Sequence, residues 1–107
     1  MDKIIDNNHL QSLIKDNDFI VLYFSNSRCA VCNSLKIKID DYFNEEKKYI
    51  KIIEIPVEEF QEMAARFMIF STPVVILYIF GKESIRMAGN FSLSELDEKI
   101  KRLKDLI

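Results

Sequence analysis

The 107-residue sequence holds little that breaks secondary structure or binds metal: two glycines, two prolines, two cysteines and one histidine. With so few Gly and Pro, and none of them clustered, there is no linker-like or low-complexity tract, nor any internal repeat. Residues 1–107 therefore read as one domain. A zinc site normally takes four ligands, and a second cysteine pair is lacking. His9 stands in a polar N-terminal stretch far from the cysteines and reads as a solvated surface residue. Long apolar runs are also missing. The longest, Val74 to Phe80, stops at seven residues, against about 18–20 for a bilayer span. The opening stretch MDKIIDNNH is charged and polar, unlike a secretory leader. A cytoplasmic protein with no membrane partner is expected. Neither sign of charge is in excess: 15 Lys and Arg face 17 Asp and Glu. No basic surplus exists to displace counterions, so nucleic acid is not an expected partner.

Apolar residues are plentiful, at 49% of the chain. A chain of this size buries roughly 60–70% of its unfolded surface, enough for a core without disulfide or metal support. Phe19 to Phe24 (FIVLYF) is a continuous apolar run, the pattern of a strand covered on both faces. Ahead of it, Ile4 and Ile5 suggest a brief edge strand. Asn8 is placed to cap a short helix whose face holds Leu10, Leu13 and Ile14. Leu35, Ile39 and Phe43 recur at helical spacing. Tyr49 to Ile55 reads as a strand closed by Pro56, and Glu58 to Phe67 as a helix with Phe60, Met63, Ala64 and Phe67 on one face. Val74 to Phe80 is the strongest strand signal, followed by a Gly81-Lys82 turn and a strand around Ser84 to Met87. Ser92-Leu93-Ser94-Glu95 forms a capping box that would satisfy two orphan amides. The helix it opens has an apolar face of Leu93, Leu96, Ile100, Leu103 and Ile107. The order β-α-β-α-β-α-β-β-α predicts an α/β fold. Its alternating part implies parallel strands, the hairpin adds an antiparallel pair, and helices cover both faces of the mixed sheet.

Cys29-Ala30-Val31-Cys32 falls where a buried strand gives way to a helix. The exposed amides and positive dipole of a helix N-terminus favour a thiolate, so Cys29 should be the exposed, acidic thiol and Cys32 the buried one. A bridge over so short a loop restricts the unfolded chain little. Redox exchange is therefore the leading use of the pair.

With these residues in view, the sequence resembles the thioredoxin family. The resemblance rests on FIVLYF leading into Cys29-x-x-Cys32, on Ser71-Thr72-Pro73 before VVILYIF, and on Gly81 and Gly89. The step of 40 residues from Cys32 to Thr72 also matches. It implies a thioredoxin-like fold and thiol–disulfide oxidoreductase activity without a cofactor. Cys29 would be the nucleophile and Cys32 the resolving thiol, with Thr72 and a cis Pro73 in the substrate-binding loop. The implied partners are disulfide-containing proteins and a thioredoxin reductase. Four departures stand out. Arg28 replaces the family's tryptophan, and Ala30-Val31 its Gly-Pro. Ile37 replaces a helix-kinking proline. Tyr23 takes the place of the buried acid, and Glu54 that of the acid's lysine partner.

Two readings of Glu54 stand: a buried proton relay that accepts a hydrogen bond from Tyr23, or a surface charge at a strand end. Arg28 likewise either favours the Cys29 thiolate or is simply solvated. Two other functions remain open, an adaptor module with vestigial or regulatory thiols, and metal or iron–sulfur binding by two Cys-x-x-Cys pairs across a dimer.

Overall fold

A computed structural model of the chain describes residues 1–106. Nine elements follow one another: β1 (Asp2–Lys3), α1 (Asn7–Asp16), β2 (Phe19–Ser25), α2 (Ala30–Glu45), β3 (Lys51–Pro56), α3 (Gln61–Arg66), β4 (Val74–Ile79), β5 (Lys82–Ala88) and α4 (Leu93–Leu106). The strands form one mixed sheet in the order β1-β3-β2-β4-β5. β1, β3 and β2 run parallel, whereas β4 runs antiparallel to β2 and β5 antiparallel to β4. Among the described residues, no helix is long and apolar enough to cross a membrane.

The continuous apolar runs are central strands because both of their faces are covered. Ile20, Leu22 and Phe24 of β2 pack with Ile53 and Ile55 beneath α1 and α3. The alternate residues Val21 and Tyr23 pack with Ile52, Val75 and Leu77 beneath α2 and α4. Each large apolar side chain buried in this way contributes about 1.5–3 kcal/mol.

The direction of β4 departs from the parallel run that simple alternation implies. The segment between β3 and β4, in which α3 takes six residues, does not carry the chain back along the length of the sheet. It brings the chain into the sheet again at the end of the strands that it left. Pro56 ends β3 beside Ser25, and Val74 starts β4 beside Phe24. This reversal brings the Thr72-Pro73 segment to the cysteine end of β2.

Smaller differences have local causes. The first strand is Asp2–Lys3, bonded to Ile53 and Glu54, rather than Ile4-Ile5. Ile4 instead drops into the core, and Ile5 points to solvent. Asp6, not Asn8, caps α1. Its carboxylate accepts the His9 amide at 2.8 Å, and His9 Nδ1 accepts the Ile5 amide at 3.1 Å. His9 thus stays at the surface and forms half of a reciprocal cap there. Residues 57–59 turn back on the Pro56 carbonyl, which receives the Glu59 and Phe60 amides, so α3 starts later than its apolar spacing suggests. The hairpin turns at Phe80-Gly81, both with positive φ (50° and 80°), the geometry of a two-residue type I′ loop. Ser92 Oγ does accept the Glu95 amide at 3.1 Å, but the Glu95 carboxylate accepts the Ser92 hydroxyl instead of a second amide. Ile107 lies outside the described residues.

Candidate redox site at the N-terminus of helix α2

β2 ends at Ser25, and three residues carry the chain to Cys29, the N-cap of α2. Cys29 adopts extended backbone (φ −91°, ψ 108°), and its sulfur accepts the Cys32 amide at 3.1 Å. A sulfur bearing negative charge at this point is stabilised by a direct donor and by the dipole of a 16-residue helix. Cys29 and Cys32 are joined in a disulfide, with their Cα atoms 5.2 Å apart. Cys32 is fully buried, whereas Cys29 is partly exposed. The expected asymmetry between the two sulfurs is therefore present in their exposure.

The Thr72–Pro73 peptide is cis, and the Thr72 carbonyl oxygen lies 3.9 Å from the Cys29 sulfur. Val31 and Phe70, the latter 86% exposed, add apolar surface on the helix start and on the approach to this loop. The four residues expected at the exchange centre are thus brought together: Cys29, Cys32, Thr72 and Pro73.

Below Cys32 the structure shows where Glu54 lies. Tyr23 and Glu54 are neighbours across β2 and β3 and face α2. Glu54 is buried, not a surface charge. Its carboxylate accepts the Ser25 hydroxyl at 3.2 Å and the Lys36 ammonium at 2.9 Å. The expected Tyr23–Glu54 hydrogen bond is not formed. The Tyr23 hydroxyl donates instead to the backbone carbonyl of Cys32, which α2 carries over the sheet, at 2.7 Å. Burial, and then the charge of Glu54, push the Tyr23 phenol well above its ordinary value. It therefore stays a protonated donor at neutral pH.

Sequence reasoning missed Lys36 and Ser25. Both had a signal: Lys36 is one helical turn beyond Cys32 and shares its face of α2, and Ser25 is two strand residues beyond Tyr23 and shares its face of β2. It also missed Glu58, whose carboxylate accepts both the amide and the hydroxyl of Ser27, at 2.7 and 2.6 Å. Those bonds, reinforced by the charge of Arg28, hold the Glu58 carboxyl below its usual range. Nothing in the spacing of two residues 31 apart announces that latch. It fixes the loop that carries Arg28, which is exposed. Among the described residues, no group of three or more His, Cys, Asp or Glu side chains is arranged to hold a metal ion.

Comparison with known proteins agrees with this geometry. The thioredoxin family model matches residues 2–102. The chain is 33% identical to a thioredoxin-like protein of Bacillus subtilis, YdfQ, over 88% of this chain and 83% of that one. It is 29% identical to a thioredoxin of Echinococcus granulosus, over 81% and 80% of the two chains. Among solved structures, Fasciola hepatica thioredoxin superposes with a TM-score of 0.86 at 25% identity, covering 95% of this chain and 98% of that one. Family match, sheet order and a helix-capping Cys-x-x-Cys beside a cis-proline loop all agree, and the chain belongs to the thioredoxin family.

Proposed function

We propose that this thioredoxin-family thiol–disulfide oxidoreductase attacks protein disulfides with Cys29 and resolves them with Cys32. The Cys29 thiolate attacks one sulfur of the substrate disulfide. That S–S bond breaks, and the second substrate sulfur leaves as a thiolate that takes a proton from solvent. Cys32, as a thiolate, then attacks the Cys29 sulfur of the mixed disulfide. The Cys29–Cys32 bond forms and the first substrate sulfur is released. Two electrons pass from the dithiol to the substrate, so an external dithiol or a thioredoxin reductase must recharge the protein. The observation that carries this reading is the Cys29 sulfur itself, bonded to a helix N-terminal amide and set against the Thr72 carbonyl. The Thr72–Pro73 segment offers backbone to an extended substrate strand, in the manner of strand addition. Glu54, the register partner of Tyr23 and held by Lys36, serves the proton that Cys32 must lose. Tyr23 steadies the first turn of α2 during that step.

The wider setting is part of the same proposal: one domain acting in the cytoplasm, in electron transport and cell redox homeostasis, on disulfide-containing proteins. Trapping tests the assignment of the thiols. Reduced Cys32→Ser protein, mixed with an aromatic disulfide that releases a coloured thiolate, should stop at one equivalent of stable mixed disulfide on Cys29. Cys29→Ser should form none at a comparable rate. Trapping on Cys32 instead would reverse the roles, and trapping on neither would favour an adaptor with inert thiols.

A further inference from the structure

At the opposite end of the sheet from the cysteines, a cleft of about 280 Å³ opens between α4 and the strand ends. Phe19 begins β2 and Ile79 ends β4; the two are register partners and form one wall. Ile100 and Leu103 of α4 form the other. This volume lies at the lower limit for small-molecule sites, which are typically apolar with a few placed polar groups.

The rim supplies such groups. Among the described residues, Lys104 is the only charged one lining the cleft, and no carboxylate lines it. Its neighbours on α4 are paired: Lys101 with Asp97 at 2.9 Å and Arg102 with Glu98 at 3.0 Å. The position four residues before Lys104 is Ile100, which offers no anion. The Lys104 ammonium instead lies 5.8 Å from the centre of the Tyr49 ring, a cation–π contact at an open site. Tyr49 meets Phe19 edge-on at 5.5 Å, and Phe19 meets Phe80 at 5.7 Å. Tyr49 and Phe80 are 49% and 62% exposed, so an aromatic border continues from the cleft into solvent.

An apolar cleft whose described lining holds one cation at the mouth and no anion selects a ligand that is apolar at one end and negative at the other. We infer that this cleft binds a small amphipathic carboxylate, its hydrocarbon portion between Phe19, Ile79 and Leu103 and its carboxylate at Lys104. The site is separate from the redox centre, and its occupancy does not depend on the thiols.

The test is an amide-resolved NMR titration of the oxidised full chain with decanoate below its micellar concentration, with decan-1-ol as the uncharged comparison. Decanoate should give saturable one-to-one shifts at the Phe19, Ile79 and Leu103 amides and none at Cys29 or Thr72. It should bind about fivefold tighter than decanol at low salt, the size of an exposed ion pair. Lys104→Gln, a surface change that leaves the fold intact, should remove that difference and leave decanol unchanged. Absence of saturable shifts, shifts scattered over other surfaces, or equal decanoate affinity in wild type and Lys104→Gln would each overturn the inference.

Discussion

Removing one oxygen from Tyr23 isolates the contact that ties the sheet to the redox helix. Tyr23→Phe keeps the ring, which is fully buried in the core, and deletes only the hydroxyl that donates to the Cys32 carbonyl at 2.7 Å. No cavity larger than that oxygen is created. The cost is the net hydrogen bond plus part of the desolvation of a buried carbonyl left short of a partner, about 1–2 kcal/mol. For a domain of this size that lowers the thermal midpoint by about 5–10 °C. Urea unfolding of the oxidised protein at pH 7 measures it directly. Tyr42→Phe is the control, because that hydroxyl donates to the partly exposed Asp97 and should cost less. Alkaline pH gives a second, independent reading. Tyr23 is held above its ordinary value by burial and by Glu54, so above about pH 10 the unfolded chain loses a proton that the folded chain keeps. Its contribution is complete below the unfolded value and is lost as pH rises toward the folded one. The fall approaches about 1.4 kcal/mol per pH unit for this one group. Tyr23→Phe should remove that component from the stability profile between pH 10 and 11. If the variant unfolds within about 0.3 kcal/mol of wild type and shows the same alkaline slope, the Tyr23–Cys32 contact does not hold the helix and the argument fails.

Two further outcomes follow from the neighbouring carboxylates. Glu54→Gln should slow resolution of a mixed disulfide by Cys32, by about 10²-fold if general acid–base catalysis is involved, while the first attack by Cys29 is nearly unchanged; stopped-flow kinetics from pH 6 to 8 separates the steps, and unchanged rates would reduce Glu54 to a structural anchor for Lys36. Glu58 is held below the usual carboxylate range by its bonds to Ser27, so its contribution is present above about pH 4.3, the unfolded value, and disappears as pH falls through the folded one. Glu58→Gln should flatten that part of the acid stability curve and speed hydrogen exchange at the Ser27 amide, and an unaltered acid limb would mean that the latch is not maintained in solution.

Much of the fold was legible because its signals are local. FIVLYF and VVILYIF are apolar on both alternating faces, which only a sheet covered on both sides can satisfy, and they became β2 and β4. Cys29-x-x-Cys32 at a strand-to-helix junction placed one sulfur at the helix cap and buried the other. Features set by tertiary geometry were less legible. The reversal of β4 depends on how the segment around α3 turns the chain back to the end of the strands that it left, which apolar spacing does not report. The choice of Asp6 over Asn8 as cap turned on His9 returning a bond to the Ile5 amide. Replacing the family's acid by Tyr23 looked like the loss of a proton relay with Glu54 as its substitute. Tyr23 and Glu54 are register partners, and only the course of α2 over the sheet gave the Tyr23 hydroxyl to Cys32 and Glu54 to Lys36 and Ser25. The Ser27–Glu58 latch joins two loops with no pattern to link them.

The proposed reduction of protein disulfides by the Cys29 thiolate at the start of α2 can be followed with insulin in the presence of dithiothreitol, through precipitation of the freed B chain. Wild-type protein should accelerate precipitation catalytically, in proportion to its concentration, and Cys29→Ser should fall to the dithiothreitol background while keeping its fold. Equal rates for wild type and Cys29→Ser would mean that the fold is a binding scaffold whose cysteines do no exchange.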